Sequence, residues 1–445
     1  MTRRLLLAAG AVALAGAAAL LWPQPAIAPL DPAPGAAAPA ADPATLARGA
    51  RVVALGDCMV CHTAANGQPY AGGLPLQTPF GTIYSTNITP DRATGIGAWS
   101  AAAFRRAMRH GVARDGHLLY PAFPYTHYTQ MSDADIGAAY AYLRTRTPVA
   151  APAPVNDLIP PLGWRPLLAG WNLLFLRPGN RIADAAQTTP TLRGQYLVDS
   201  MGHCASCHSG LNLLGGERSP AFGGGHIDGW DAPALTGLRS LPVPWTQAEL
   251  VDYLHGGLSA AHGAAKGPMQ PVTAHLAEVP VEEVRAIVAH LNTLQTAGPL
   301  AAGAAPAPLH EAQAAPAPIA RAAASPELQA LRQRGAILFE GACASCHGAS
   351  APLGTINGRP GLGRSRSLSD DSANNFLRTV HDGVARAGAP AAIYMPAFAD
   401  VLSDADIAAL AAYARLDLAG LPAWDRGAVV HASAAMRTAN KQGLP

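Results

Sequence analysis

Cys343-Ala-Ser-Cys346-His347 ends the stretch LRQRGAILFEGACASCH at residues 331–347. The pattern C-x-x-C-H occurs twice more, and the three copies together use all six cysteines of the 445-residue chain. C-x-x-C-H is the signature of covalent c-type haem attachment. Two cysteines one helical turn apart can form thioethers with two neighbouring vinyl groups, and the adjacent histidine then faces the iron. The sequence therefore predicts three haems c, attached through Cys58 and Cys61, Cys204 and Cys207, and Cys343 and Cys346, with His62, His208 and His347 as proximal ligands.

Cysteine pairs have two other common uses. A zinc knuckle would combine such pairs to reach four ligands, and a thioredoxin-like redox pair would not need a histidine after each second cysteine. Neither use explains the threefold repetition of the full motif, so the haem interpretation is favoured.

Each copy of the motif belongs to a repeated module. An Arg-Gly pair lies about ten residues before each first cysteine, and each module closes with an amphipathic helical pattern. In two of these closing patterns Ser132 and Ser403 are typical N-caps, with an aspartate three residues later.

Two helices around a haem describe a small cytochrome fold. We predict an all-α protein of three tandem class I cytochrome c domains, at residues 44–147, 190–297 and 327–420. An apolar linker at 148–189, an Ala/Pro-rich linker at 298–326 and a C-terminal tail at 421–445 complete this division.

The distal ligand decides what a haem can do, because methionine raises its potential and closes it to other ligands. In the third module the prediction is Met395, the only methionine between Cys346 and the closing helix. In the second it is Met269, in the Gly/Pro-rich segment AAKGPMQPV, with His262 and His275 as alternatives.

The first module lacks a methionine at the corresponding place. Its loop reads LYPAFPYTHYTQMSD (119–133), and the predicted ligand there is His127, which would make this centre bis-histidine. Met131, His117 or an open site remain alternatives. Met108 and His110 belong to the preceding helical pattern, where we expect core or surface roles.

The N-terminal segment and the net charge limit the possible cellular location and binding partners of the protein. Leu5–Trp22 is an uncharged apolar run after Arg3-Arg4, so residues 1–30 are expected to be a cleaved export signal or a retained membrane anchor. Either places the protein on the oxidising side of the membrane. The net charge of +2 comes without a basic stripe, and this excludes a typical nucleic-acid-binding protein.

Longer motifs resemble a known family, the triheme cytochrome c subunits of membrane-bound bacterial dehydrogenases. These motifs are TPFGTIYSTNITPDRATGIGAWS (78–100), RPLLAGWNLLFL (165–176), GWDAPALTG (229–237) and GPM (267–269). The alcohol-dehydrogenase type usually has methionine where this chain has Phe123. The variant is more similar to cytochromes of molybdenum hydroxylases, the aldehyde or N-heterocycle dehydrogenases.

The resemblance implies a partner with molybdopterin and iron–sulfur clusters, and ubiquinone or a terminal oxidase as electron acceptor. It also implies a place on the periplasmic face of the inner membrane. The apolar segment GWNLLFL (170–176) would then dock to a partner or a membrane, or pack between domains.

The leading functional hypothesis is electron transfer without bond chemistry on an organic substrate. A cytochrome subunit of a quinoprotein alcohol or flavin sugar dehydrogenase is an alternative, as is a free multihaem carrier. A haem enzyme of the peroxidase kind, with an open site at haem 1, would use His110 and His117 near Arg109 and Arg114 as acid–base groups.

Overall fold

A computed structural model of the chain describes residues 24–30, 41–179, 182, 189–259, 261–303, 325–348, 362–386 and 393–441. The chain forms two compact units, Met1–Ala221 and Phe222–Pro445. Their boundary falls inside the second predicted module, so His208 belongs to the first unit and Met269 to the second.

The first unit consists of helices separated by long loops. The helices are α1 (Pro43–Leu55), α2 (Cys58–Cys61), α3 (Ala101–His110), α4 (Tyr125–Tyr128), α5 (Asp133–Leu143), α6 (Leu167–Phe175), α7 (Pro190–Tyr196) and α8 (Ala205–His208). A π-helical turn, Leu197–Met201, continues α7. One antiparallel sheet has the order β1 (Pro75–Thr78), β2 (Gly81–Tyr84), β3 (Asp157–Leu158).

The second unit has the same character. Its helices are α9 (Gln247–Gly256), α10 (Met269–Leu276), α11 (Val281–Thr293), α12 (Pro326–Ala342), α13 (Ala344–His347), α14 (Arg366–Ser369), α15 (Asn374–Asp382), α16 (Asp404–Tyr413) and α17 (Arg426–Lys441). Short turns of 3-10 helix lie at Leu238–Ser240 and Leu362–Arg364, and a π-helical turn, Ala414–Leu418, follows α16. Antiparallel pairs join β4 (Gly225–Ile227) to β5 (Trp230–Ala232), β6 (Leu258–Ser259) to β7 (Gly263–Ala264), and β8 (Val384–Arg386) to β9 (Ile393–Met395).

The glycine of the repeated Arg-Gly pair lies where the opening and closing helices of a module cross. In the first module a Cβ on Gly49 of α1 would lie 2.7 Å from the Cβ of Tyr142 in α5. In the third module a Cβ on Gly335 of α12 would lie 2.7 Å from the Cβ of Tyr413 in α16. Real carbon atoms do not approach so closely, so both crossings require glycine.

The arginine of the pair binds the first turn of the closing helix. Arg48 Nε donates to Asp135 Oδ1 at 2.7 Å, and Arg334 Nη2 donates to Asp406 Oδ1 at 2.6 Å. The carboxylate at this position also stabilises the helix, because it lies near the helix N-terminus, where the backbone carries partial positive charge. The repeated Arg-Gly pair therefore fixes both the distance and the register of the two helices.

The predicted N-caps are confirmed. Ser132 Oγ accepts a hydrogen bond from the N–H of Asp135 at 3.0 Å, and Ser403 Oγ accepts one from Asp406 at 3.2 Å. These caps fix the first residue of each closing helix, because each satisfies one backbone donor that the helix itself leaves unpaired.

The helix crossing of the third module gives a first prediction. Replacing Gly335 with alanine should destabilise the contact between α12 and α16 by about 1–3 kcal/mol, the usual cost of overpacking a close contact. Gly341 is the matched control in the same helix, because nothing lies within 4 Å of the position that a Cβ on it would take; its replacement should be neutral or stabilising by up to about 1 kcal/mol. Amide hydrogen exchange of α12 measures both, and equal exchange rates in the two variants would contradict the crossing.

Three parts of the structure differ from the sequence-based division. The fold is not purely helical, since short strands shape several loops. The predicted linker at 148–189 contains β3, which pairs with β2, and α6. The predicted C-terminal tail contains α17, which binds the third module through Ser433 and His381 at 2.8 Å and through Arg437 and Asp404 at 3.0 Å.

The predicted signal or anchor, Leu5–Trp22, lies outside the described residues. Across the part of the chain that the structure does describe, we find no helix with the length and apolar character needed to span a bilayer.

Candidate haem centres

Each of the three C-x-x-C-H motifs forms one helical turn. The backbone N–H of the histidine donates to the carbonyl of the first cysteine at 3.0 Å in the first module, 2.9 Å in the second and 2.8 Å in the third. The predicted turn geometry is therefore confirmed, and both sulfur atoms of each motif lie on one short stretch of helix next to the imidazole.

The first cysteine of each motif is partly buried, whereas Cys61 of the first motif is exposed. Burial raises the pKa of Cys58 and Cys204 to about 12 and that of Cys343 to about 11. Burial of these three sulfur atoms suits an uncharged thioether better than the thiolate that zinc requires. Within the described ranges, no three His, Cys, Asp or Glu side chains are grouped as a metal site.

The third module encloses a cavity of about 160 Å³ lined by Cys343, His347 and Met395. The remaining walls are mainly apolar and come from α12, α15, α16 and the segments around them. The donor set and the walls fit a covalently held haem, since they offer a sulfur for attachment, an imidazole, a thioether sulfur and apolar contacts for the macrocycle. Three of the predicted site residues are thus brought together.

Met395 is held by local backbone structure. It ends β9 and is paired in register with Val384 of β8. Gly383, which ends α15, has φ 71°, and a Cβ there would lie 2.8 Å from the backbone nitrogen of Ala397. The chain can pass from α15 into this hairpin only because residue 383 is glycine.

Lys266 is a cavity residue that the sequence interpretation missed. It lies in the loop after β7, and its Nζ donates to Ser367 Oγ at 2.9 Å in the wall of the same cavity. Chiefly because of burial, the pKa of its amine is lowered to about 8. The available signal was a lone lysine in an apolar, Gly/Pro-rich segment, three residues before the predicted ligand Met269.

In the first module a backbone carbonyl orients the proximal histidine. His62 Nδ1 donates to the carbonyl oxygen of Thr86 at 2.5 Å, and this leaves Nε2 as the ligating nitrogen. Burial lowers the pKa of His62, against the opposing effect of this hydrogen bond. The neutral imidazole that iron requires is therefore favoured.

In the first unit, one backbone carbonyl of the first module binds a residue that directly precedes the second haem motif. Gly56 O, two residues before Cys58, accepts from the Tyr128 hydroxyl at 3.1 Å and from His203 Nε2 at 3.2 Å. His203 directly precedes Cys204. Burial, followed by the nearby thiols of the first motif, raises the pKa of Tyr128 well above its ordinary value.

Both ring nitrogens of His127 are engaged in hydrogen bonds. Its Nδ1 donates to the carbonyl of Asp199 at 2.9 Å, and its Nε2 donates to Glu217 Oε1 at 2.6 Å. Burial opposes the charged form, but the hydrogen bond and charge of Glu217 outweigh it and raise the pKa of His127. In this arrangement Nε2 is bound to Glu217, and ligation by His127 would require that hydrogen bond to break, so the bis-histidine assignment stays a prediction.

Of the other candidate distal ligands in the first module, the methionines are buried and the histidines are exposed. Met131 is 1% exposed and lies directly before the cap of α5, and Met108 is buried in α3. His117 is exposed and pairs with Asp115 at 2.6 Å, and His110 is exposed as well. Met131 is therefore the buried candidate in the loop that contacts the first haem motif.

Arg109 and Arg114, which a peroxidase-like active site at haem 1 would place near its acid–base groups, bind backbone carbonyls instead. Arg109 donates to the carbonyls of Thr129 and Met131, both at 2.7 Å, and Arg114 donates to the carbonyl of Ile27 at 3.3 Å. They hold backbone segments in place, and this accounts for them without acid–base catalysis.

In the second module His208 is buried in the first unit, and Met269 begins α10 in the second. The alternative ligand His262 stacks on Trp245 with ring centroids 3.6 Å apart, and His275 is buried in α10. The stacking gives His262 a packing role of its own.

Comparisons with known proteins identify cytochrome c domains in this chain. A family model described as "Cytochrome c" matches residues 46–147 and 191–295, and one described as "Cytochrome C oxidase, cbb3-type, subunit III" matches residues 330–413. A nicotinate dehydrogenase subunit of Pseudomonas putida is 44% identical over 412 residues, which are 92% of this chain and 33% of that protein. The chain thus spans about a third of the length of that relative.

Two further relatives match over most of both chains. The gluconate 2-dehydrogenase cytochrome c subunit of Pantoea cypripedii is 36% identical over 389 residues, 83% of this chain and 84% of the relative. The fructose dehydrogenase cytochrome subunit of Gluconobacter japonicus is 32% identical over 399 residues, 86% of this chain and 81% of the relative.

Proposed function

Since this chain belongs to the family of cytochrome c subunits of dehydrogenases, we propose that it is a triheme subunit that passes electrons from a catalytic dehydrogenase subunit to the respiratory chain. Haem c, when bound, accepts and donates single electrons. The observation that carries the proposal is the apolar cavity in which Cys343, His347 and Met395 meet, because a thioether-closed site transfers electrons without opening the iron to substrate.

The three modules would hold their haems with similar residues. Cys343, Cys346, His347 and Met395 would hold the third haem, and Cys204, Cys207, His208 and Met269 the second. Cys58, Cys61 and His62 would hold the first. For its distal ligand we favour the buried Met131 over His127, whose Nε2 would have to give up its hydrogen bond to Glu217.

This choice of ligand gives a second prediction. Met131→Ala should convert one low-spin haem to a high-spin haem that binds carbon monoxide, whereas His127→Ala should leave the three haems low-spin. Electron paramagnetic resonance of the oxidised protein and carbon monoxide spectra of the reduced protein measure both. A high-spin centre in His127→Ala alone would restore the bis-histidine assignment.

Two contacts support electron transfer in the order of the modules. A hydrogen bond from His203 Nε2 to the carbonyl of Gly56 joins the segments that directly precede the second and first haem motifs. The loop that ends at Met269 also supplies Leu258, Gly263 and Lys266 to the wall of the third cavity. The second module therefore has a contact with each of the other two.

The partner we propose is a molybdopterin and iron–sulfur dehydrogenase, with ubiquinone or a terminal oxidase as acceptor. The support is the relative named as a nicotinate dehydrogenase subunit, 44% identical to this chain. The relatives named gluconate and fructose dehydrogenase cytochrome subunits, 36% and 32% identical, support the alternative of a sugar-oxidising partner.

The outer face of α6 supports a location at the periplasmic membrane surface. Leu173 and Leu174 are 63% and 54% exposed, while Leu168 of the same helix is buried. A helix that is apolar on all sides normally has both faces covered. Arg165 and Arg177 flank α6, and the 158–179 segment has no acidic residue, which suits an anionic lipid surface.

The proposed function is tested by purification of the tagged full chain from detergent-solubilised membranes of its own host. We expect three haems per chain, covalently bound, and co-purifying subunits that contain molybdenum and iron–sulfur clusters. A flavin- or quinone-containing partner would replace the proposed one, and a soluble chain without a partner would overturn the proposal. Leu173→Glu with Leu174→Glu should release the complex into the soluble fraction more readily, whereas Val155→Glu, at an apolar side chain outside α6 that is 90% exposed, should not.

A further inference from the structure

The cavity of the third module is lined by a cationic side chain, Lys266, that haem ligation does not explain. Lys266 and Lys441 are the two lysines of the chain, whose positive charge otherwise comes from arginine. Lys266 reaches the cavity wall from the second module, while His347 and Met395 of the same cavity belong to the third. The lysine is thus a contribution of one module to the centre of the next.

Within the ranges that the structure describes, the ammonium group of Lys266 has no carboxylate partner of its own. Among the described residues it donates to the Ser367 hydroxyl at 2.9 Å and forms no ion pair. The nearby acid, Asp370, is bound by Arg366 at 2.8 Å and acts on Lys266 only at longer range. A cation in an apolar wall is costly unless an anion neutralises it.

The cofactor that fits this cavity brings such an anion. Haem has two propionate carboxylates, and the other polar side chains of the cavity wall include serine and threonine hydroxyls, which carry no charge. With the pKa of Lys266 lowered to about 8 by burial, most of the amine is still charged at pH 7. A neighbouring carboxylate would stabilise the charged form further.

We propose that Lys266 sets the reduction potential of the third haem, by pairing with a propionate and by keeping a positive charge in the cavity. Reduction adds an electron to the centre, so a nearby cation stabilises the reduced state more than the oxidised state. At an effective dielectric constant near 20, a charge about 10 Å away changes this equilibrium roughly tenfold. This inference rests on the proposed function, because it requires haem in the cavity.

The experiment compares Lys266→Met and Lys266→Arg in the full chain by spectroelectrochemical titration. Lys266→Met removes the charge at similar length, and we expect the ratio of reduced to oxidised third haem at a fixed potential to fall roughly tenfold. Lys266→Arg should retain most of the wild-type ratio. Lys441→Met removes the same charge from the end of α17 and should have no effect on this centre.

The affected haem is identified in a chain that also carries Cys343→Ala and Cys346→Ala. There Lys266→Met should leave the remaining centres unchanged. An unchanged titration in Lys266→Met with three haems present, or equal effects of the Met and Arg variants, would overturn the role of the charge. A chain with two haems in the wild type would instead overturn the proposed function. If Lys266→Met loses haem during assembly, Lys266→Gln replaces it in the comparison with Lys266→Arg, because glutamine is uncharged and can still bind Ser367.

Discussion

Replacing Cys343 and Cys346 together with alanine is expected to remove one haem per chain and to destabilise the third module. The core of this module is built around the haem cavity, since the same side chains line the cavity and form the buried cluster. These are Phe339, Leu368, Phe376, Val380, Leu402 and Leu410. An empty cavity of about 160 Å³ costs about 4 kcal/mol at about 24 cal/mol per Å³, a large part of the 5–15 kcal/mol that stabilises a typical domain.

The measurement combines haem content with local stability. Pyridine haemochrome spectra should fall from three haems per chain to two, and amide exchange should accelerate in α12 and α16. Cys58→Ala with Cys61→Ala is the matched control, because it removes one haem but should leave exchange in the third module unchanged. Wild-type exchange in α16 of the Cys343/Cys346 variant would show that the module folds without its haem.

The parts of the structure that depend on neighbouring residues could be predicted from the sequence. The helical turn of each C-x-x-C-H motif and the caps at Ser132 and Ser403 involve residues three or four positions apart. Such contacts follow from local backbone geometry. The Arg-Gly pair was visible as a repeat, but its role was not, because it depends on the helix that crosses it.

The contacts that the sequence could not show join residues far apart in the chain. Glu217 lies 90 positions from His127, and Ser367 lies 101 positions from Lys266. From the sequence alone, a histidine in a Pro/Tyr-rich loop is a plausible iron ligand, because the distant residue that accepts its hydrogen bond is not apparent. The sequence likewise predicts a tail at 421–445, although the contacts of α17 with Asp404 and His381 make this helix part of the third module.

Met395 is expected to determine the spectrum and potential of the third haem. Met395→Ala should open this centre, giving a high-spin haem that binds carbon monoxide. Met395→His should keep it low-spin but lower its potential by about 0.2 V, a fraction of the about 0.8 V that axial ligands span. The reason is that the thioether sulfur stabilises reduced iron more than an imidazole does, and Met395 lines the cavity together with His347.

A second methionine of the same module separates ligation from packing. Met436 of α17 is buried in the core of the third module but does not line the cavity. Met436→Ala should cost about 2–5 kcal/mol of stability, as large core truncations do, without changing the spin state or the potential. We therefore expect Met395→Ala to change the spin state of the third haem, and Met436→Ala to change the stability of the module but not the spin state. If Met395→Ala lost stability like Met436→Ala and kept three low-spin haems, Met395 would be a core residue, and the third site would need another ligand.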